Sequence, residues 1–211
     1  PALLTWESLT LRLRKPFTVS YGSSETRQAF WVQLAGDEGW GEGTIPPYYG
    51  IDPAEMAAVW ARAAQCGRRL PDDPAEIADW VGDDGPAAAR SALDLALHDR
   101  IGRQRGLPLY RLLDLPAPGA RPTWFTLSID TPEAMAELAR RRLKYTLFKI
   151  KMGGDGLDMA RVAAVRAARP DAVLGVDANA GWQEADALRY LEEMERLRVE
   201  WVEQPLAKDE I

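Results

Sequence analysis

Cysteine and histidine are scarce in this chain of 211 residues and positive charge is outnumbered by negative, and each of these narrows what the chain can be. Cys66 is the one cysteine, so no internal disulfide can form, and a reducing, cytoplasmic setting fits. Asp and Glu (32) outnumber Lys and Arg (26), giving a net charge of −6. That balance argues against a nucleic-acid partner, because phosphate binding needs a basic surface. A small anionic substrate is still allowed, since local positive charge or a metal can meet it. No apolar run approaches the roughly 18 to 20 residues needed to span a bilayer, so no membrane partner is expected. The opening residues Pro1 to Glu7 place an acid early and lack the basic-then-apolar order of a secretory signal.

What is present reads as two kinds of structure, divided at the proline-rich stretch Leu115 to Pro122. Before it, Leu9, Leu11 and Leu13 alternate with polar residues, which predicts a half-buried strand. Phe30 to Leu34 and the residues around Trp40 predict two more strands, joined by a turn at Gly36 to Gly39. Pro53 to Ala64 predicts a helix capped by Asp52. Pro86 to Arg105 predicts a longer one, with Ala89, Ala92, Leu93, Ala96 and Leu97 on one face and Gly106 as its stop. Strands followed by helices make residues 1–118 an α+β domain.

From residue 119 to 211 strands and helices alternate. Strands are predicted at Trp124 to Ile129, Thr146 to Lys151, Ala172 to Asp177 and Val199 to Glu203. Helices are predicted from Pro132, Asp155 and Glu184. This alternation implies a parallel sheet covered by helices. Lys151 lies 25 positions after Thr126, and Asp177 and Glu203 follow at intervals of 26. Polar residues at successive strand ends fit a (β/α) barrel of the TIM type, whose sites lie on that face. A Rossmann-type open sheet competes, but no strand is followed by a G-x-G-x-x-G turn. The 89 residues after Pro122 provide four of the eight units a barrel of about 250 residues requires. The expectation is therefore a barrel truncated at its first half.

Lys149 and Lys151 flank Ile150, so both ammonium groups should project from one face of their strand. Neighbouring like charges in a partly dry site depress each other's pKa, which would make a lysine that works as a base near neutral pH. Asp177 and Glu203 end apolar strands, where an isolated carboxylate is costly. Two such acids with no histidine or cysteine nearby suit a hard cation such as Mg²⁺. Either acid could instead pair with Lys149 or Lys151, or cap the next helix. His98 reads as a packed or capping histidine. The tryptophans at 6, 31, 40, 124 and 201 read as core or interface.

Three segments then carry a resemblance: Phe148 to Gly153 (FKIKMG), Val176 to Trp182 (VDANAGW) and Val202 to Leu206 (VEQPL). In this order, and with the helix Ala92 to Gly102 before them, they resemble the enolase superfamily, muconate-lactonizing subgroup. The resemblance implies that Lys151 is a general acid/base beside a substrate carboxylate and that Lys149 holds its pKa down. Asp177 and Glu203 would be the first two Mg²⁺ ligands, with Asn179 supporting them from behind. A lysine base with Mg²⁺ stabilising an ene-diolate is this superfamily's pattern. The third carboxylate and the opposite-face lysine of the family would lie beyond Ile211, so the 211 residues alone are expected to be inactive.

The segments Lys15 to Gly22 and Gly41 to Gly50 look like the two capping loops of dipeptide epimerases of the L-Ala-D/L-Glu type. Tyr21, Tyr49 and Thr126 would then face the substrate. The resemblance implies an isomerase that epimerises dipeptides, and it allows a homo-oligomer. A lyase or cycloisomerase such as o-succinylbenzoate synthase or muconate cycloisomerase shares the same chemistry. A non-catalytic truncated remnant is the alternative of a different class.

Overall fold

A computed structural model describes residues 3–46 and 49–210, so Pro47 and Tyr48 of the second expected loop lie outside the described residues. The chain divides into two compact units, residues 1–13 with 26–119, and residues 14–25 with 120–211. The tip of the first hairpin thus belongs with the second unit. A linear reading that keeps residues 1–118 together has no means of seeing this.

β1 (Leu4–Val19), β2 (Gly22–Leu34) and β3 (Trp40–Ile45) form a sheet in the order β1-β2-β3, which belongs to the first unit apart from the hairpin tip at residues 14–25. The helices are α1 (Pro53–Gln65), α2 (Ile77–Val81), α3 (Ala87–Arg105) and α4 (Leu109–Leu112). Asp52 caps α1 by accepting the Ala54 N–H at 2.8 Å, and Gly106 ends α3 in a left-handed conformation. The helical face read from the sequence is buried throughout: Ala89, Ala92, Leu93, Ala96 and Leu97. They pack with Phe30, Val32, Met56 and Trp60, whose indole N–H donates to Ala89 O at 3.0 Å. Small residues on α3 meet glycines on β3. A Cβ added at Gly41 would lie 1.9 Å from Ala92 O. Side-chain alternation identifies the strands but not what covers them. Leu11 on edge strand β1 is 41% exposed, and Trp6, Trp31 and Trp40 are exposed rather than core.

The second unit holds β4 (Phe125–Leu127), α5 (Pro132–Arg141), β5 (Leu147–Lys151), α6 (Asp158–Ala168), β6 (Val173–Asp177), α7 (Glu184–Arg196) and β7 (Val199–Glu203). The four strands are parallel and lie in sequential order, β4-β5-β6-β7. This order lacks the reversal at which open Rossmann sheets bind ligands. Leu127, Phe148, Ile150, Leu174 and Val176 pack with Met135, Ala139, Val162, Val165 and Met194 of the helices into one core. Period two then sends Thr126, Lys149, Lys151, Asp177 and Glu203 to the other face. At the amino end of the sheet, Arg166 donates to Ala172 O, Leu197 O and Arg198 O. Arg169 donates to Ala139 O and Tyr145 O, satisfying carbonyls at and beyond the end of α5.

Candidate active site

The ladder registers bring the candidate residues together. Thr126 pairs with Lys149, Lys151 with Asp177, and Asp177 with Glu203. All sit at or near the carboxyl ends of adjacent strands. Lys151 Nζ donates to Asp177 Oδ2 at 2.7 Å. Lys149 Nζ lies 2.9 Å from the same oxygen and donates to Glu203 Oε2 at 2.5 Å. Asp177 also accepts the Asn179 N–H at 2.9 Å. Asp177 is 1% exposed, Lys151 is buried and Glu203 is exposed, so the cluster runs from a dry end to a wet one.

Electrostatics here correct one expectation. The expected lowering of the Lys149 pKa by its neighbour is not what the geometry produces. Burial pulls the Lys149 pKa down, but hydrogen bonds to Glu203 and Asp177 and their negative charge outweigh it, and the net direction is up. Burial pushes Asp177 up, yet the hydrogen bonds from Lys151, Lys149 and the Asn179 N–H hold its carboxyl below the ordinary range. Two positive and two negative groups neutralise one another, so the arrangement is the acid–lysine pairing that the sequence left open.

The loops beyond the strands are close-packed. Ala178, Ala180 and Trp182 donate their N–H groups to Glu203 O, Gln204 O and Pro205 O, zipping the loop after β6 to that after β7. Asn179, Ala180 and Gln204 have positive φ values of 46°, 59° and 47°. Such left-handed backbone is costly for residues other than glycine and concentrates at functional sites. Asn179 Oδ1 is buried and finds no donor among the described residues. The hairpin tip reaches the same loops: Ser20 Oγ donates to Asn179 O at 2.7 Å, and the ring centroid of Phe17 lies 5.8 Å from Lys151 Nζ.

Tyr21 lies at that tip and is half exposed. Tyr49 is exposed and belongs to the first unit. His98 is a packed histidine, its Nδ1 3.0 Å from Asp94 O. Sequence reading gave no individual role to Phe17, Ser20, Asp158, Arg161 or Trp182. Phe17 and Ser20 lie in the segment Lys15 to Gly22 and Trp182 ends the VDANAGW segment, while Asp158 and Arg161 left only an acid and a base three apart at the start of a helix.

A parallel α/β sheet with paired lysines and carboxylates at its strand ends, preceded by an α+β domain, defines a class of two-unit α/β proteins whose polar side chains gather at the carboxyl ends of parallel strands. The comparisons narrow this class. Residues 5–114 match the mandelate racemase / muconate lactonizing enzyme N-terminal domain, and residues 133–211 match the enolase C-terminal domain-like family. The chain belongs to the muconate-lactonizing subgroup of the enolase superfamily and is dipeptide epimerase-like. It is 30% identical to the L-Ala-D/L-Glu epimerase of Bacteroides thetaiotaomicron, with 99% of this chain and 55% of that protein aligned. Among solved structures, the N-succinyl Arg/Lys racemase of Bacillus cereus superposes with a TM-score of 0.87 at 30% identity, covering 98% of this chain and 59% of that one. The Enterococcus faecalis dipeptide epimerase complexed with Mg and L-Leu-L-Tyr gives 0.84 at 29% identity, covering 99% and 62%. The chain therefore spans a little over half the length of the relatives it matches.

Proposed function

We propose that the natural protein carrying these residues is a Mg²⁺-dependent isomerase that epimerises dipeptides, with β4 to β7 forming half of a (β/α) barrel. One observation carries the reading: two lysines and two carboxylates from three adjacent strands converge within hydrogen-bond distance on one face of the sheet. Likeness to proteins named as dipeptide epimerases supports the substrate class.

Asp177 and Glu203 are the residues that would hold Mg²⁺. They suit it, being paired carboxylates with no histidine or cysteine beside them, and the donorless Asn179 Oδ1 adds a buried oxygen nearby. No group of three or more such side chains suited to a metal occurs among the described residues, so two ligands need others to complete the set. When bound, the ion supplies positive charge where a substrate carboxylate gains a second negative charge on losing its α-proton. With both acids so engaged, neither lysine would be tied to them, and Lys151 would be placed to take the α-proton from the substrate and return it. Lys149 stays charged beside the substrate carboxylate. Thr126, on the next strand, and Tyr21, on the hairpin tip, face the substrate.

The test is exchange of the α-proton with solvent deuterium across a panel of dipeptides, using the natural protein with Mg²⁺ or with chelator. Exchange that needs the metal and is lost in Lys151→Met is expected. A panel that shows no exchange under any condition sinks the reading. The likeness to the N-succinyl Arg/Lys racemase favours a second reading, racemisation of an N-acylated amino acid by the same lysines. Exchange confined to N-succinyl amino acids would select it.

A further inference from the structure

A buried ion pair stands beside the site but does not take part in it. Asp158 and Arg161, on the first turn of α6, are both almost wholly buried. Asp158 accepts four hydrogen bonds: Gly153 N–H at 2.8 Å and Arg161 at 3.0 Å on one oxygen, Gly154 N–H at 3.0 Å and the Trp182 indole N–H at 3.2 Å on the other. That is the full capacity of a carboxylate. Arg161 in turn donates from Nε to Asp130 O at 2.8 Å and grips Asp155 through two bonds of 2.6 and 2.7 Å. Asp130 follows β4, Gly153 to Asp155 follow β5, and Trp182 closes the loop after β6. Three consecutive loops thus end on one pair of side chains.

A buried ion pair is a weak source of stability, because desolvation offsets most of the attraction. What it does supply here is geometry, since each bond goes to a defined atom of a different loop. The path to the site is short. Gly153 is two residues from Lys151, and the Met152 N–H between them donates to Asp177 O at 3.0 Å, continuing the ladder past the strands. At Gly154 the loop touches the next one, with room for no Cβ against Gly181 O.

The geometry points to Asp158 and Arg161 as positioning residues that hold the loops after β4, β5 and β6 as one body and thereby fix Lys151 against Asp177. The inference rests on the proposed use of Lys151 as the acid/base. It adds that proton transfer depends on a clamp that touches neither substrate nor metal.

Asp158→Asn leaves two of the four donors facing an NH₂ group whichever way the amide turns. Trp182→Phe is the milder variant, removing one N–H while keeping a ring against Tyr190. Both are made in the natural protein and read twice. Amide hydrogen exchange should rise together in residues 128–131, 152–157 and 178–183, with α3 unchanged. The rate constant kcat for α-proton exchange should fall ~10- to 100-fold, with KM moving by less than about threefold. Loops that stay protected in both variants overturn the clamp whatever happens to activity. Loops that loosen with kcat intact overturn the positioning role, as does a loss of kcat that merely follows a falling Tm without local loosening. If the unaltered protein exchanges no dipeptide proton, the function proposed above fails, and joint or separate loosening of the three loops still decides the clamp.

Discussion

Adding one methyl group at Gly154 should separate the loops that frame the lysine–carboxylate cluster, and the size of the effect can be worked from two distances. Gly154 has φ +64°, and a Cβ there would lie 2.2 Å from the carbonyl oxygen of Gly181. An ordinary contact needs at least 3.4 Å, so the loops after β5 and β6 must part by about 1 Å. The left-handed backbone costs an alanine about 1–2 kcal/mol, and overpacking against an immobile backbone atom adds about 1–3 kcal/mol. Gly156 supplies the control within the same loop. Its φ is +82° and nothing lies within 4 Å of its Cβ position, so Gly156→Ala carries the backbone cost alone. Urea denaturation of both variants should place Gly154→Ala lower by about 1–3 kcal/mol at unchanged m-value. The α-proton exchange rate should also be lower, by up to ~100-fold relative to Gly156→Ala, as a displacement of about 1 Å allows. Equal stability and equal rates in the two variants would refute the close approach of the loops and its link to Lys151.

Acid stability follows from Asp155, whose carboxyl is held at about 2, below its ordinary 3.8, chiefly by hydrogen bonds from Arg161. A lowered folded-state pKa contributes stability above 3.8 that is lost as the pH falls toward 2, and screening of this half-exposed group reduces it to about 1 kcal/mol. Asp155→Asn should therefore lower the urea midpoint at neutral pH, and the gap to the unaltered protein should close between pH 4 and 2; a gap independent of pH contradicts the assignment. In the first unit, Gly41→Ala drives a Cβ to 1.9 Å from Ala92 O, and should cost about 3 kcal/mol because α3 itself must shift. Gly119→Ala, in open space, should stay within about 1 kcal/mol of the unaltered protein, and similar Tm values for the two would show that α3 does not rest on β3 as described.

Local rules were enough to find most of the elements. The 3.6-residue recurrence on α3, the Asp52 cap and the Gly106 stop each involve neighbours along the chain, where physical contact follows from spacing alone. The 26-residue interval between Lys151, Asp177 and Glu203 was also visible, because a parallel β-α unit repeats its strand ends at nearly constant length. Short elements carried too little signal: α2 and α4, of five and four residues, went unread. Partly buried strands misled as well, since alternation in β1 marks two faces without saying whether either is covered.

What the tertiary structure alone decided is who meets whom across the sheet. The sequence by itself determined that two lysines share a face and that two acids end strands. Register placed both ammonium groups within 3 Å of the same Asp177 oxygen, which turned an expected pair of repelling lysines into a neutralised cluster. The same holds for the hairpin tip at Ser20, 159 residues from Asn179 along the chain, and for the three loops gathered on Asp158 and Arg161. Hydrogen bonds and ion pairs act over about 3 Å of space, and at such sequence separations only the folded chain sets that distance.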